Sequence, residues 1–203
     1  MTDVVEPAWM TGEAGDILQE FYERMQESLV VLAMARQGLN KRRNDMEIQE
    51  LPPHSDATHS IVESGLISAS VRRERLLELL KQGLEDGQSE ASVALSQQWM
   101  VLTYALWDEN FRKRIADAAG VAKNDVAIDA LGDLRHMRHD IAHHLGIASK
   151  GHSARCVEFQ WFDVGDVVFM GPQREREFVS ALPGYRRVMP RTRPPDEASP
   201  GAR

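Results

Sequence analysis

Residues Leu134 to Ser149 read LRHMRHDIAHHLGIAS and hold the chain's densest supply of groups that move protons and bind anions. Four of the seven histidines, His136, His139, His143 and His144, fall here, interleaved with Arg135 and Arg138. Imidazole exchanges protons near neutral pH, and a guanidinium grips a phosphate through paired donors. Both types on one helix suit phosphodiester chemistry on RNA. At about 100° per residue, Leu131, Leu134, Met137, Ile141 and Leu145 make one apolar face. Arg138 falls within that stripe, where arginine is uncommon unless paired or at an interface. His136, His139 and His143 share the opposite side, and His144 borders the apolar face. Arg138 and His143 are about 140° apart around the helix, so they meet more easily across two copies than within one.

This helix is the fourth that the periodicity predicts. It spans roughly Val126 to Leu145, with Asn124 or Asp125 as its cap and Gly146 as its stop. The first helix covers 16 to 39, with Ile17, Phe21, Met25, Leu29 and Leu32 as its stripe, Asp16 as cap and Gly38 near the end. The basic run Lys41-Arg42-Arg43 then reads as charge that complements the helix end. Residues 45 to 60 read as a loop, where His54 and His59 have no ligand set around them. A second helix covers 61 to 84. A third runs from about Glu90 to Ala118, with Leu95, Trp99, Leu102 and Leu106 as its stripe, Trp99 and Trp107 in the core, and Gly120 at its end. Glu109 continues that stripe, so it is expected to pair with an arginine of the next helix.

The pattern changes after residue 150. Residues 154 to 162 and 166 to 170 alternate in polarity around Asp163-Val164-Gly165, which predicts a hairpin. The stretch from Met189 onward is Pro-rich and polar, so a disordered tail is expected. The resulting division is an N-terminal extension at 1–15, a helical bundle at 16–150, a β-hairpin and short-helix appendage at 151–188, and the tail at 189–203. The fold class is all-α: a four-helix bundle with a small C-terminal β-hairpin appendage.

The chain has 203 residues, 42% of them hydrophobic, enough for one sizeable core. Its net charge of −7 argues against a general nucleic-acid coat, so any RNA contact is local. Arg135, Arg138, Lys150, His152 and Arg155 supply the patch. The single cysteine, Cys156, rules out a disulfide within the chain and reads as a packed thiol. No signal peptide and no membrane span are visible, so a cytoplasmic location is expected.

The segment GDLRHMRHDIAHHLGIAS resembles the HEPN superfamily. Its signature is an arginine, a polar residue, a few spacers and a histidine on the last bundle helix. Arg138, His139 as the polar neighbour, and His143 match it. The polar position is more often Asn or Asp. The resemblance covers about 93–149, is weaker for the earlier helices, and does not extend to 151–203. It implies a bundle that dimerises with its two motifs facing each other. It also implies metal-independent RNA cleavage to 2′,3′-cyclic phosphate and 5′-hydroxyl ends, with no cofactor. In that scheme His143 is the general acid or base, and Arg138 binds the scissile phosphate. His139 takes the second proton transfer or orients His143. Arg135 and His144 contact the RNA backbone, and Asp140 holds a histidine tautomer or balances the charge cluster. RNA, a second copy of the chain, and an antitoxin or inhibitor protein are the expected partners. A toxin or anti-phage defence role fits this class.

Two other readings remain open at the level of sequence. His136, His139 and His143 have the i, i+3, i+7 spacing of a metal-binding helix face. His139-Asp140-x-x-His143 is also similar to a zincin motif, with Asp in place of the general-base Glu and no third-ligand signature. Alternatively the bundle is a non-catalytic dimeric module that binds a protein or RNA.

Overall fold

The computed structural model describes residues 7–48, 58–60, 70–72, 78–79 and 89–185. Helix α1 spans Gly12–Ile48. It buries Leu18, Phe21, Tyr22, Met25 and Leu32, with Ile17 and Leu29 half-covered beside them. It starts before Asp16 and runs through Gly38. Ahead of it a 3-10 turn, Ala8–Met10, tucks Trp9 into the core. Trp9 and Ala14 are thus buried in the packed body.

Strand β1, Thr58–Ser60, pairs antiparallel with β2, Ser70–Arg72, with His59 opposite Val71. The ladder replaces part of the helix expected over 61–84. The paired residues, Thr58-His59-Ser60 and Ser70-Val71-Arg72, include hydroxyl and β-branched side chains, which are weaker helix formers than the Leu, Arg and Glu that follow. The remainder of that expected helix, apart from residues 78–79, lies outside the described residues, as do His54 and the 189–203 tail.

Helix α2 is Glu90–Leu106, and its start is capped by the Ser89 hydroxyl, which accepts the Ser92 N–H. It passes through a π turn, Trp107–Phe111, into α3, Arg112–Ala119. Trp107 and Phe111, four residues apart, both face inward. Phe21 packs against both, with ring centroids at 5.2 and 5.4 Å. Trp99 is buried as expected, and its indole N–H donates to Ser28 Oγ at 2.8 Å.

The stripe expected on this helix is rotated. Ser92, Ser96, Trp99, Thr103 and Trp107 form the buried face, and Leu102 is 69% exposed. Glu109 is exposed too, and no ion pair joins it to the next helix. The paired carboxylate is its neighbour Asp108, which meets Arg112 and Lys123, each at 3.1 Å. Gly120 ends α3 in the left-handed conformation, with φ of 66°.

Helix α4, Asp129–His143, packs against α2. It begins after Ile128, later than expected. Asp125 instead serves a 3-10 turn over Lys123–Asp125, where its carboxylate accepts the Ala122 N–H. Leu131, Leu134 and Met137 are buried and Ile141 is half-buried, as the periodicity requires. Leu145 departs from it, at 94% exposed.

A short helix α5, Lys150–Ser153, and a longer α6, Pro172–Ser180, follow. No hairpin forms between them. Residues 154–171 run without a strand, joined to the bundle end by one bridge between Ile147 and Val167. Their donors go elsewhere: Met170 N–H to Ser96 Oγ, and Val157, Glu158 and Phe159 N–H to Asp133. Alternating polarity here reflects a chain lying on helices, with Phe159, Val168 and Met170 turned inward. Arg36 on α1 pairs with Glu175 on α6 and donates to the Met170 carbonyl, which ties the C-terminal segment across the bundle.

Candidate functional site

The motif residues project from the last two turns of α4. Arg138 lies at the edge between its buried and exposed faces. Its Cζ is 6.0 Å from the centre of the Tyr104 ring on α2, a distance at which a cation is attracted to the ring face. Its Nε is buried and has no hydrogen-bond partner. A buried N–H without an acceptor costs about 1–3 kcal/mol, and Arg36 Nε on α1 is left in the same state. Burial and the Asp108 carboxylate raise the Tyr104 hydroxyl above its ordinary value, which keeps the ring neutral beneath the guanidinium.

His139 and His143 are one turn apart, with ring centroids 4.5 Å from each other at a steep angle. His144 lies 5.6 Å from His139. His143 and His144 are exposed and His139 is half-buried, so three imidazoles form one accessible cluster. His136 borders both the small pocket with Cys156 and Phe162 and the cleft with Arg135 and Arg155.

Asp140 is buried and accepts the Ser149 N–H at 3.3 Å. Its backbone carbonyl receives both the His144 and the Gly146 N–H. It fastens the turn after α4 and does not face solvent with His143. Leu145 and Gly146 both take left-handed conformations, φ of 55° and 75°, which stops the helix where Gly146 predicted.

Arg135 is exposed one turn before Arg138, and Arg155 and Lys150 are exposed on the following segment. They form the local basic patch expected on an acidic body. The His152 side chain lies outside the described residues. Burial, with Asp133 and Asp140 nearby, pushes the Cys156 thiol up to about 12, so it is a poor nucleophile.

Two residues here escaped the sequence reading. Tyr104 gave no signal, because a single aromatic on an amphipathic helix reads as core. Asp133 did leave one. It shares a face with Met137 and Asp140 at i, i+4 and i+7, and such a carboxylate needs partners. It is buried and finds three, the N–H groups of Val157, Glu158 and Phe159 at 2.7–2.8 Å.

Among the described residues, no group of three or more His, Cys, Asp or Glu side chains could hold a metal ion. No helix among them is long and apolar enough to cross a membrane. No family model matches the chain, and neither does any curated protein or solved structure. The likeness to HEPN proteins therefore stands on the residues of 93–149 themselves.

Proposed function

We propose that the protein is a HEPN-type endoribonuclease acting as a homodimer. The observation that supports this best is Arg138, a half-buried guanidinium with an unsatisfied Nε, on the helix that also carries the His139–His143 pair. In this reading Arg138 holds the scissile phosphate and stabilises charge on its oxygens. One imidazole, His143, takes the proton from the 2′-hydroxyl as its oxygen bonds to phosphorus. The bond from phosphorus to the 5′-oxygen breaks, and that oxygen leaves with a proton from a second imidazole, for which His139 is placed. The products are a 2′,3′-cyclic phosphate and a 5′-hydroxyl, with no metal or cofactor in any step. In the same reading Arg135 and His144 contact the flanking backbone. Asp140 supports the turn beneath them.

Helix geometry supports the second copy. Arg138 and His143 diverge by about 140° around α4, and paired copies let the arginine of one approach the histidine of the other. A toxin or defence role, with an inhibitor protein as natural partner, is the biological setting that fits such an activity.

Incubating the purified protein with single-stranded RNA, with and without EDTA, tests the reading. Cleavage that survives chelation and leaves cyclic-phosphate ends is expected. Folded His143→Ala and Arg138→Ala proteins that cut at the wild-type rate would refute it. The non-catalytic alternative predicts RNA or protein binding with intact RNA recovered.

A further inference from the structure

A cleft of about 180 Å³ opens between the first half of α4, the end of α2 and the chain at 155–157. Tyr104, Trp107, Gly132, Arg135, Arg155 and Val157 line it. We propose that this cleft is a subsite for one unpaired nucleotide of the RNA strand. The proposal rests on the nuclease reading and adds the substrate's form: single-stranded RNA with a base free to leave its stack.

Three features carry it. The first is charge. Arg135 and Arg155 come from different parts of the chain, and neither has an ion-pair or hydrogen-bond partner among the described residues. Two such guanidiniums across one opening match a phosphate, which each can hold through two donors. The acidic lining residues do not cancel them equally. Asp133 is occupied by its three N–H donors, which leaves the exposed Asp129 as the one free carboxylate of the rim. Arg112, the third arginine, is taken by Asp108 and by the Val126 carbonyl.

The second feature is shape. Gly132 lies within α4, where glycine is less favourable than alanine, yet a Cβ there would touch nothing within 4 Å. Packing does not call for glycine at this position. Its effect is a flat floor that a larger side chain would fill. The cleft falls below the roughly 300–1,000 Å³ of a drug-sized site, so it suits one flat group and not a stretch of duplex. A base entering it lies against the Tyr104 ring edge and Val157.

The third feature is position. Tyr104 belongs both to the cleft wall and to the seat of Arg138. Arg135 precedes Arg138 by three residues, roughly 4.5 Å along the axis. A strand whose scissile phosphate rests on Arg138 thus has its neighbouring nucleotide at the cleft. The wall is built for this: Asp133 clamps the chain at 157–159 onto α4 and so sets Arg155 across from Arg135.

The test uses full-length His143→Ala protein, which holds RNA without cutting it, and a fluorescein-labelled short RNA, single-stranded or in duplex. Adenosine monophosphate and inorganic phosphate serve as competitors. The single strand should bind more tightly than the duplex, and the mononucleotide should compete better than phosphate. Gly132→Met and Arg155→Ala should each weaken single-strand binding by roughly tenfold, within the range of losing one seated base. In the cleaving protein the same two changes should raise KM more than they lower kcat. Gly132→Ala should raise the melting temperature, which confirms that the glycine is not kept for packing. If RNA is bound and cut but neither variant alters binding, the cleft proposal is wrong and the nuclease reading stands. If no RNA is cut, yet adenosine monophosphate binds and Arg155→Ala abolishes it, the cleft is a nucleotide site and the nuclease reading falls. If neither RNA nor nucleotide binds, both fail.

Discussion

The Cζ of Arg138 lies 6.0 Å from the centre of the Tyr104 ring, and the Nε beside it is buried with no acceptor. Arg36 Nε is also unpaired, but that guanidinium spends its other donors on Glu175 and the Met170 carbonyl. At Arg138 an aromatic face supports the guanidinium while its hydrogen-bonding capacity stays unused. Arg138→Ala should therefore cost little in folding, within about 1 kcal/mol either way, because no hydrogen bond is lost with it. The same change should lower RNA cleavage by roughly 10²–10³-fold through loss of charge stabilisation. A large drop in melting temperature with unchanged cleavage would reverse the assignment.

His143→Ala should remove proton transfer, worth roughly 10²–10⁴-fold in rate. His144→Ala, one residue on, should cost less if backbone contact is its role. A pH–rate profile separates the two. Loss of His143 should remove one limb of a bell-shaped curve, whereas loss of His144 should lower the curve without moving its limbs. Identical profiles for the two variants would count against His143 as the proton carrier.

How far the sequence was legible depends on where each element's partners lie. Helix α4 announced itself because Leu131, Leu134 and Met137 recur at helical spacing and are all buried in the shared core. Gly146 stopped it for a local reason, its left-handed backbone. The stripe was extended too far at Leu102 and Leu145. Both are leucines at helical spacing, but the π turn and the small buried residues Ser92, Ser96 and Thr103 decide which way α2 faces. The 154–170 segment misled for a similar reason. Its alternation is real, yet its N–H groups find Asp133 and Ser96, distant in sequence, and not a partner strand. The motif residues were visible as types, while the Tyr104 seat and the Gly132 cleft are products of packing between helices.

Asp133 is the structural hinge of that C-terminal segment. Replacing it with Ala leaves three N–H groups without their acceptor. The expected loss is about 3 kcal/mol or more, read from urea denaturation. Asp133→Asn keeps one acceptor oxygen and should cost less. Either change should also weaken RNA binding by releasing Arg155. A cost near zero for Asp133→Ala would mean that the segment is not held by this carboxylate.

Cys156 gives a pH signature. Its thiol is pushed up to about 12, first by burial and then by the Asp133 and Asp140 carboxylates. The folded state thus holds the thiol proton more tightly than the unfolded chain, whose value is near 9.0. The resulting stability is present below about pH 9 and is lost as pH rises toward 12. Wild type should therefore lose stability more steeply over that range than Cys156→Ala. Tyr22 also titrates high because of its burial, but it is common to both proteins and cancels in the comparison. Parallel curves would show that the thiol is not buried in the folded protein.

Leu145 places a nearly bare apolar side chain, 94% exposed, on a left-handed backbone with φ of 55°, directly after the histidine cluster. In a monomer both features are unfavourable. A left-handed non-glycine residue costs roughly 1–2 kcal/mol, and the exposed side chain gains nothing from burial. Both make sense if the leucine is covered when two copies bring their α4 helices together. Leu145→Gly should then act in opposite directions on two observables. The isolated monomer should lose no stability, or gain up to about 1 kcal/mol, since relief of strain offsets the added freedom of the unfolded chain. The dimer should weaken, with a rise in dissociation constant measured by light scattering over a dilution series. Leu145→Asp should weaken it further by placing a carboxylate in the contact. RNA cleavage should fall in step with dimer loss and recover at high protein concentration. A dimer that tolerates Leu145→Asp without change would place the interface elsewhere.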